Sequence, residues 1–98
     1  MAPQRITFNY SLQGYEKGVP NIISTVLEDK EGNILAGIVD GGLAIKRKGA
    51  DSFSLFKHNP GDPHSLAHNN ISDIIQDLHG NYWISTIGGG LDKLDKNN

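Results

Sequence analysis

The sequence has no cysteine and no long hydrophobic run. The first absence excludes disulfides and thiolate metal sites but leaves the compartment open, because many periplasmic proteins also lack cysteine. The second excludes a membrane-spanning helix, which needs about 18 consecutive apolar residues. The first four residues have neither the basic start nor the apolar core of a signal peptide. If the parent protein is exported, we therefore expect this chain to be a fragment of it.

An excess of either charge is lacking too. Nine basic and 11 acidic residues give a net charge of −2, and the basic residues form no stripe. Nucleic acid is therefore not an expected partner. Hydrophobic residues make up only 37% of the 98 positions, which is low for a chain that must fold alone. We expect one small domain, with other blades or other copies of the chain as partners and no direct membrane contact.

Glycine, by contrast, is abundant, with 12 residues that stand at turn positions. The turn-rich run at residues 77–91 has a counterpart 48 residues upstream, at residues 29–43, with no gap. Nine of the 23 positions from 21 to 43 are identical to the residue 48 positions later. Two copies of a unit of about 48 residues therefore fill the chain.

The pattern of each copy predicts short strands joined by tight turns. An aspartate suits the first turn position, where its carboxylate bonds the backbone two residues on, and glycine supplies positive φ. The predicted strands are residues 22–28, 34–38, 43–47 and 53–57 in the first copy, residues 71–76, 82–87 and 91–94 in the second, and residues 6–10 ahead of both. The residues assigned to turns and to the repeat signature are Asp29, Gly32, Asn33, Gly41, Gly42, Asp77, Gly80, Asn81, Trp83, Gly89 and Gly90.

Four-stranded units of this length bury both faces by stacking side by side, as in a β-propeller. We predict an all-β fold of two four-stranded antiparallel propeller blades. The whole chain, residues 1–98, is one propeller segment with repeats at 5–52 and 53–98, each made of strand four of one blade and strands one to three of the next. It is either part of a longer propeller or part of a ring completed by oligomerisation with strand exchange. Three copies would give six blades and four copies eight.

The repeat resembles the two-component regulator propeller repeat over nearly the whole chain. The first copy departs from that pattern at Leu35 and Ile38, where the family has Trp and Thr. The linking element is residues 62–70. In the second copy the matching residues are Ile71, Asp77, Gly80, Asn81, Trp83, Ile84, Thr86, Gly89, Gly90 and Leu91.

The resemblance implies a periplasmic sensor segment of a hybrid two-component histidine kinase, of the kind common in Bacteroides-type bacteria and often tied to polysaccharide sensing. It implies an oligosaccharide as ligand and no catalysis by this chain, because the kinase parts would lie elsewhere in the parent. Two alternatives stay open, namely a fragment of a propeller enzyme such as a lyase, and a purely structural assembly module.

Binding is expected in the loops of one propeller face, where strand-four links lie beside the turns between strands two and three. Trp83 is expected to pack between blades. We expect no cofactor, because the glycine runs lack the context of a phosphate loop. We expect no metal either, because His58, His64 and His68 lie in a non-helical link and the Asp-Gly-Asn turns lack calcium-loop spacing. No nucleophile–base pair points to catalysis. The candidate binding residues are Tyr15, Asp40, His64, His68, Asn69 and Asn70.

Overall fold

The computed structural model describes residues 22–95, which form seven β-strands and no helix. Nothing helical in that range is therefore long and apolar enough to span a membrane. The predicted strand at residues 6–10 and the candidate residue Tyr15 lie outside the described residues. The strands are β1 (Ile23–Glu28), β2 (Ile34–Ile38), β3 (Gly42–Lys46), β4 (Ser54–Phe56), β5 (Ile71–Gln76), β6 (Tyr82–Thr86) and β7 (Gly90–Leu94).

The strands form two antiparallel meanders. Blade 1 has the order β1-β2-β3-β4 and blade 2 the order β5-β6-β7. Both show a register shift at the start of the first strand, between Ile23 and Thr25 and between Ile71 and Asp73. The predicted all-β, blade-like architecture is confirmed, and each described strand ends within one residue of its predicted bounds. The 48-residue repeat of the sequence is thus a repeat of structure, including the register shift in the first strand of each blade.

The first turn of each blade is held by its aspartate. The Oδ1 atom of Asp29 accepts hydrogen bonds from the backbone N–H of Glu31 at 2.9 Å and of Asn33 at 2.8 Å. The Oδ1 atom of Asp77 accepts the two equivalent bonds at 2.9 Å each. A carboxylate that satisfies two turn N–H groups fixes the hairpin locally, which explains why both blades carry Asp at this position.

The two blades pack face to face and share one core. Gly37 of blade 1 lies against the Ile71 side chain of blade 2, where a Cβ atom would stand 2.6 Å from Ile71 Cγ2. Only glycine fits this position without movement of the neighbouring strand. The buried core residues are Leu35, Leu43 and Ile45 from blade 1 and Ile71, Ile74, Tyr82 and Ile84 from blade 2.

Each blade also has a second face that does not take part in this core. On blade 1 a small cluster of Ala36, Ile38 and Ala44 is buried there. On blade 2 that face carries Ile75 and Leu91, which are exposed. We call the surface formed by Ile75, Trp83, Ser85 and Leu91 the outer face of blade 2.

Candidate functional site

The linker between the blades, residues 57–70, ends on one face of the molecule. The N–H of Gly42, at the end of the β2–β3 turn, donates to the carbonyl of Asn69 at 2.8 Å. The N–H of Ile87, in the β6–β7 turn, donates to the carbonyl of Asn70 at 2.9 Å. These two bonds bring the linker beside both turns, as the blade topology predicts. We call this surface the linker face; it comprises residues 40–42, 67–70 and 87–89.

Side chains of the linker face are already engaged in shaping the linker. The Oδ1 atom of Asn69 accepts a hydrogen bond from the N–H of His58 at 2.6 Å. The Nδ1 atom of His68 accepts one from the N–H of Asn70 at 3.1 Å. The imidazole of His68 also lies against the neighbouring turn, since a Cβ at Gly88 would be 3.7 Å from the ring. These residues have a structural role, and ligand binding by them stays a prediction.

Asp40 projects a carboxylate from the same face. It is exposed and has φ 56°, the one non-glycine residue with positive φ among those described. The equivalent position in blade 2 is Gly88, with φ 99°. Aspartate tolerates the left-handed region better than most residues. The turn therefore holds a negative charge where blade 2 has none.

His64 stands apart from the other candidate residues. Its N–H donates to Asp62 Oδ1 at 2.9 Å. Its side chain lines a cleft of about 670 Å³ between the outer strands of the two blades, together with Phe56 and Lys93. His68, Asn69 and Asn70 do not line this cleft. The described residues contain no group of three side chains suited to hold a metal ion.

A polar contact inside the interface joins the two blades. The Oδ2 atom of Asp29 accepts hydrogen bonds from Tyr82 Oη and from Asn33 Nδ2, the latter at 2.9 Å. Asp29 and Tyr82 are both buried, each with 6% of its surface exposed. Burial by itself raises the pKa of Asp29, but the hydrogen bonds from Tyr82, Asn33 and Glu31 outweigh it and lower the pKa below 3.8. Burial and the Asp29 carboxylate together raise the pKa of Tyr82 to about 12.

Asp77 has a different partner for its second oxygen. Its Oδ2 atom accepts a hydrogen bond at 2.9 Å from Nε1 of Trp83, in the same blade. That bond is the main reason why the pKa of Asp77 is lowered. The amine of Lys93 lies 5.3 Å from the centre of the indole ring, within the range of a cation–π contact. Trp83 is thus on the outer face of blade 2, and its expected packing between blades is not with blade 1.

Further bonds across the interface involve Lys30 and Ser24. The backbone N–H of Lys30 donates to Gln76 Oε1 at 2.9 Å, and its amine donates to the carbonyls of Asp77 at 3.2 Å and Leu78 at 3.3 Å. The hydroxyl of Ser24 donates to the carbonyl of Ile71 at 2.6 Å. Sequence reasoning missed this polar set.

The missed residues had a signal in the repeat alignment. Tyr82 stands opposite Ile34, and Trp83 stands opposite Leu35. Positions where two copies differ in polarity mark where their surroundings differ. The alignment shows such positions, but it does not show that Tyr82 reaches across to Asp29.

No protein-family model matches this chain, and no curated protein matches it. Solved structures do. The chain is similar to the extracellular domain of a protein from B. thetaiotaomicron described as the hybrid two-component system BT4673, with a TM-score of 0.65 and 28% identity over 72% of this chain. A second structure of that domain, described as a one-component system, gives a TM-score of 0.64 and 27% identity over the same share.

PorZ, a surface component of the type-IX secretion system of Porphyromonas gingivalis, has the same fold. It matches with a TM-score of 0.57 and 19% identity over 76% of this chain. The chain spans only 9% of each BT4673 domain and 11% of PorZ. The resemblance to a two-component regulator sensor region, seen first in the turn residues, is confirmed by the first two structures.

Proposed function

We propose that this chain is a non-catalytic segment of a β-propeller sensor domain in a two-component signalling protein. The observation that carries the proposal is the 28% identity and TM-score of 0.65 with the extracellular domain of a hybrid two-component system. A fold alone would not support a function, but the turn and strand signature points to the same kind of protein.

The same similarity supports an extracytoplasmic location, because the matching structures are extracellular domains. We propose the periplasm as the compartment. The kinase parts of the signalling protein would lie elsewhere in the parent. In that setting the two blades act as a rigid scaffold that displays loops.

The linker face is the proposed ligand surface. It exposes the carboxylate of Asp40 and the imidazole of His68 on a backbone held by the bonds from Gly42 and Ile87. A carboxylate acceptor and an imidazole that can donate from Nε2, since its Nδ1 accepts from Asn70, suit the hydroxyl groups of a sugar. An oligosaccharide is therefore the ligand class that we propose.

Binding can be measured by titration calorimetry against a panel of neutral oligosaccharides, using the purified chain. We expect saturable binding without product formation, and a loss of roughly tenfold in affinity, about 1.4 kcal/mol, for His68→Ala. His79→Ala is the matched control, because His79 is an exposed histidine in the β5–β6 turn, away from the linker face. Turnover of any sugar would favour a propeller enzyme. Absence of binding to the whole panel would contradict the oligosaccharide proposal and favour an assembly module.

A further inference from the structure

The carboxylate of Asp40 takes no part in holding the fold together. The side chain is exposed and makes no hydrogen bond or ion pair with any residue in the range 22–95. Most other aspartates of that range accept at least one hydrogen bond through the carboxylate. Those with such a bond are Asp29, Asp62, Asp73, Asp77 and Asp92. All the acceptor sites of the Asp40 carboxylate are therefore available to a ligand.

The backbone of Asp40 makes this carboxylate costly to keep. Its φ of 56° lies in the left-handed region, and the equivalent residue of blade 2 is Gly88, with φ 99°. Glycine adopts such a conformation without a steric penalty, whereas any other residue is disfavoured there. Residues held in unfavourable backbone conformations cluster at functional sites. A carboxylate that is retained here without a partner in the protein thus points to a role in binding.

The turn that carries Asp40 is held on two sides. The N–H of Gly41 donates to the carbonyl of Ile38 at 3.0 Å, and the N–H of Gly42 donates to the carbonyl of Asn69 at 2.8 Å. Gly42 also lies against the carbonyl of Phe56, too close for any side chain at this position. The carboxylate is therefore presented from an ordered backbone, which lowers the entropic cost of binding.

The linker face carries one negative charge and no balancing positive one. Of the ten residues that define it, Asp40 alone has a side chain that is charged at neutral pH. His68 accepts a bond from the N–H of Asn70 at Nδ1, so its proton lies on Nε2 and the ring is neutral. The stem of Lys57 lies against Gly42, but Lys57 lines the cleft between the outer strands.

The charge of the linker face restricts the ligands that it can bind. A divalent cation needs several oxygen ligands, and the described residues contain no group of three side chains suited to a metal ion. A carboxylate bonds an ammonium group more strongly than a hydroxyl group, because the bond is assisted by charge on both partners. A carboxylate on the ligand would instead be repelled by Asp40.

We infer that the linker face, through Asp40, binds oligosaccharides that carry a protonated amine in preference to neutral ones, and binds sugars that carry carboxylates least well. De-N-acetylated hexosamines are sugars of the preferred class. The inference rests on the proposed role of the linker face as a ligand surface and names the class of sugar that this surface takes.

The expected preference is modest and depends on salt. An ion pair at an exposed site contributes up to about 1 kcal/mol, which corresponds to about fivefold in affinity. Salt screens exposed charges, so the preference should fall as the ionic strength rises. The affinity for a neutral sugar should change little with salt.

The test is titration calorimetry of the purified chain with matched sugars, at one pH at which the ligand amines are protonated. The probes are a glucosamine trimer, its fully N-acetylated form and a galacturonate trimer. The glucosamine trimer should bind about fivefold more tightly than the acetylated trimer, and the galacturonate trimer more weakly than either.

Asp40→Asn should abolish this difference and leave the affinity for the acetylated trimer within about twofold, because asparagine tolerates the left-handed region and keeps an oxygen acceptor. Asp51→Asn is the matched control. Asp51 is also exposed and without a partner in the described range, but it lies in the β3–β4 loop, at the other end of the blade. That variant should keep the preference. Thermal unfolding checks that both variants are folded.

The outcomes separate this inference from the proposed function. Equal affinities for the glucosamine and acetylated trimers would overturn the inference and leave the ligand role of the linker face intact. A preference that survives Asp40→Asn, or one that Asp51→Asn abolishes equally, would overturn the assignment to Asp40. Tighter binding of the galacturonate trimer would reverse the expected charge of the ligand. Absence of binding by all three sugars would count against the oligosaccharide proposal itself, and the inference would fail with it.

Discussion

Asp29 and Asp77 occupy the same turn in the two blades and make the same two backbone bonds. They differ in the second carboxylate oxygen, which bonds Tyr82 of the next blade in one case and Trp83 of its own blade in the other. The difference shows that one turn can serve two purposes. In blade 2 the second carboxylate oxygen of Asp77 is bonded within the blade, by the indole N–H of Trp83. Blade 1 has Leu35 at the position of Trp83, so the second oxygen of Asp29 accepts its bond from across the interface.

The largest expected effect lies at Gly37, where blade 1 lies against the Ile71 side chain of blade 2. Gly37→Ala would place a methyl group 2.6 Å from Ile71 Cγ2, so the interface must open. We expect a loss of about 2 kcal/mol or more in the free energy of unfolding, measured with urea. Ser85→Ala, at the equivalent position of blade 2, should change the unfolding free energy by less than about 0.5 kcal/mol. Equal effects of the two substitutions would show that the close contact is not what Gly37 provides.

Removal of the bond between blades should have the next largest effect. Tyr82→Phe leaves the buried Asp29 without its partner across the interface and should cost about 1.5–3 kcal/mol, the range for a hydrogen bond to a charged group. Trp83→Phe removes the equivalent bond of Asp77 at a more exposed site and should cost less. Urea denaturation of the two variants measures both. A larger loss from Trp83→Phe would reverse the comparison between the two turns.

The pH dependence at alkaline pH should distinguish the two turns further. The pKa of Tyr82 is about 12 in the folded protein against an ordinary 10.0, so the folded state holds the proton more tightly. Its contribution to stability is complete below pH 10 and is lost as the pH rises towards 12. The difference in unfolding free energy between the unchanged chain and Tyr82→Phe should therefore shrink over that range. A constant difference up to pH 12 would contradict the raised pKa.

At acid pH the pH dependence of stability has the opposite sign, because the pKa of Asp29 is lowered and not raised. The pKa of Asp29 is lowered from 3.8, so its contribution is present above that value and is lost as the pH falls below it. Unfolding free energies of Asp29→Asn and the unchanged chain should converge below that pH. Convergence at neutral pH would show that the carboxylate charge is not the stabilising group.

The smallest effect is expected at the β2–β3 turn of blade 1 and the β6–β7 turn of blade 2. Asp40 has φ 56°, where blade 2 has Gly88 with φ 99°. Asp40→Gly relieves the unfavourable left-handed conformation but adds freedom to the unfolded chain, so we expect a net gain of about 0.5 kcal/mol. Gly88→Asp, the reciprocal change, should destabilise the protein. Thermal unfolding of both variants checks the pair, and a loss of stability in Asp40→Gly would mean that its carboxylate has a bonding role.

Much of the architecture was predictable because turns are local. An Asp followed three residues later by Gly fixes a hairpin by bonds within five residues, so residues 29–33 and 77–81 marked both blades from the sequence alone. The repeat spacing then predicted that two such units stack side by side, as the shared core shows.

The polar interface was not predictable, because it depends on the relative position of two sheets. The reach of Tyr82 to Asp29 and of Lys30 to the β5–β6 turn depends on sheet twist and spacing, which no short segment encodes. The separation of His64 from His68 depends on the path of the whole linker, of which the turn at Asp62 is only one part. The candidate binding residues were found by topology and stay a prediction.

The bonds between the blades have a consequence for the order of folding. Those from Ser24, Thr25, Lys30 and Tyr82 span between 46 and 53 residues of chain, whereas the turn bonds of Asp29 and Asp77 span two to four. Closure of a long loop is entropically unfavourable until both ends are ordered, and contacts of high sequence separation slow folding. We therefore expect each hairpin to form early, and the docking of the blades, with the closure of the Tyr82–Asp29 bond, to be the slow step of folding.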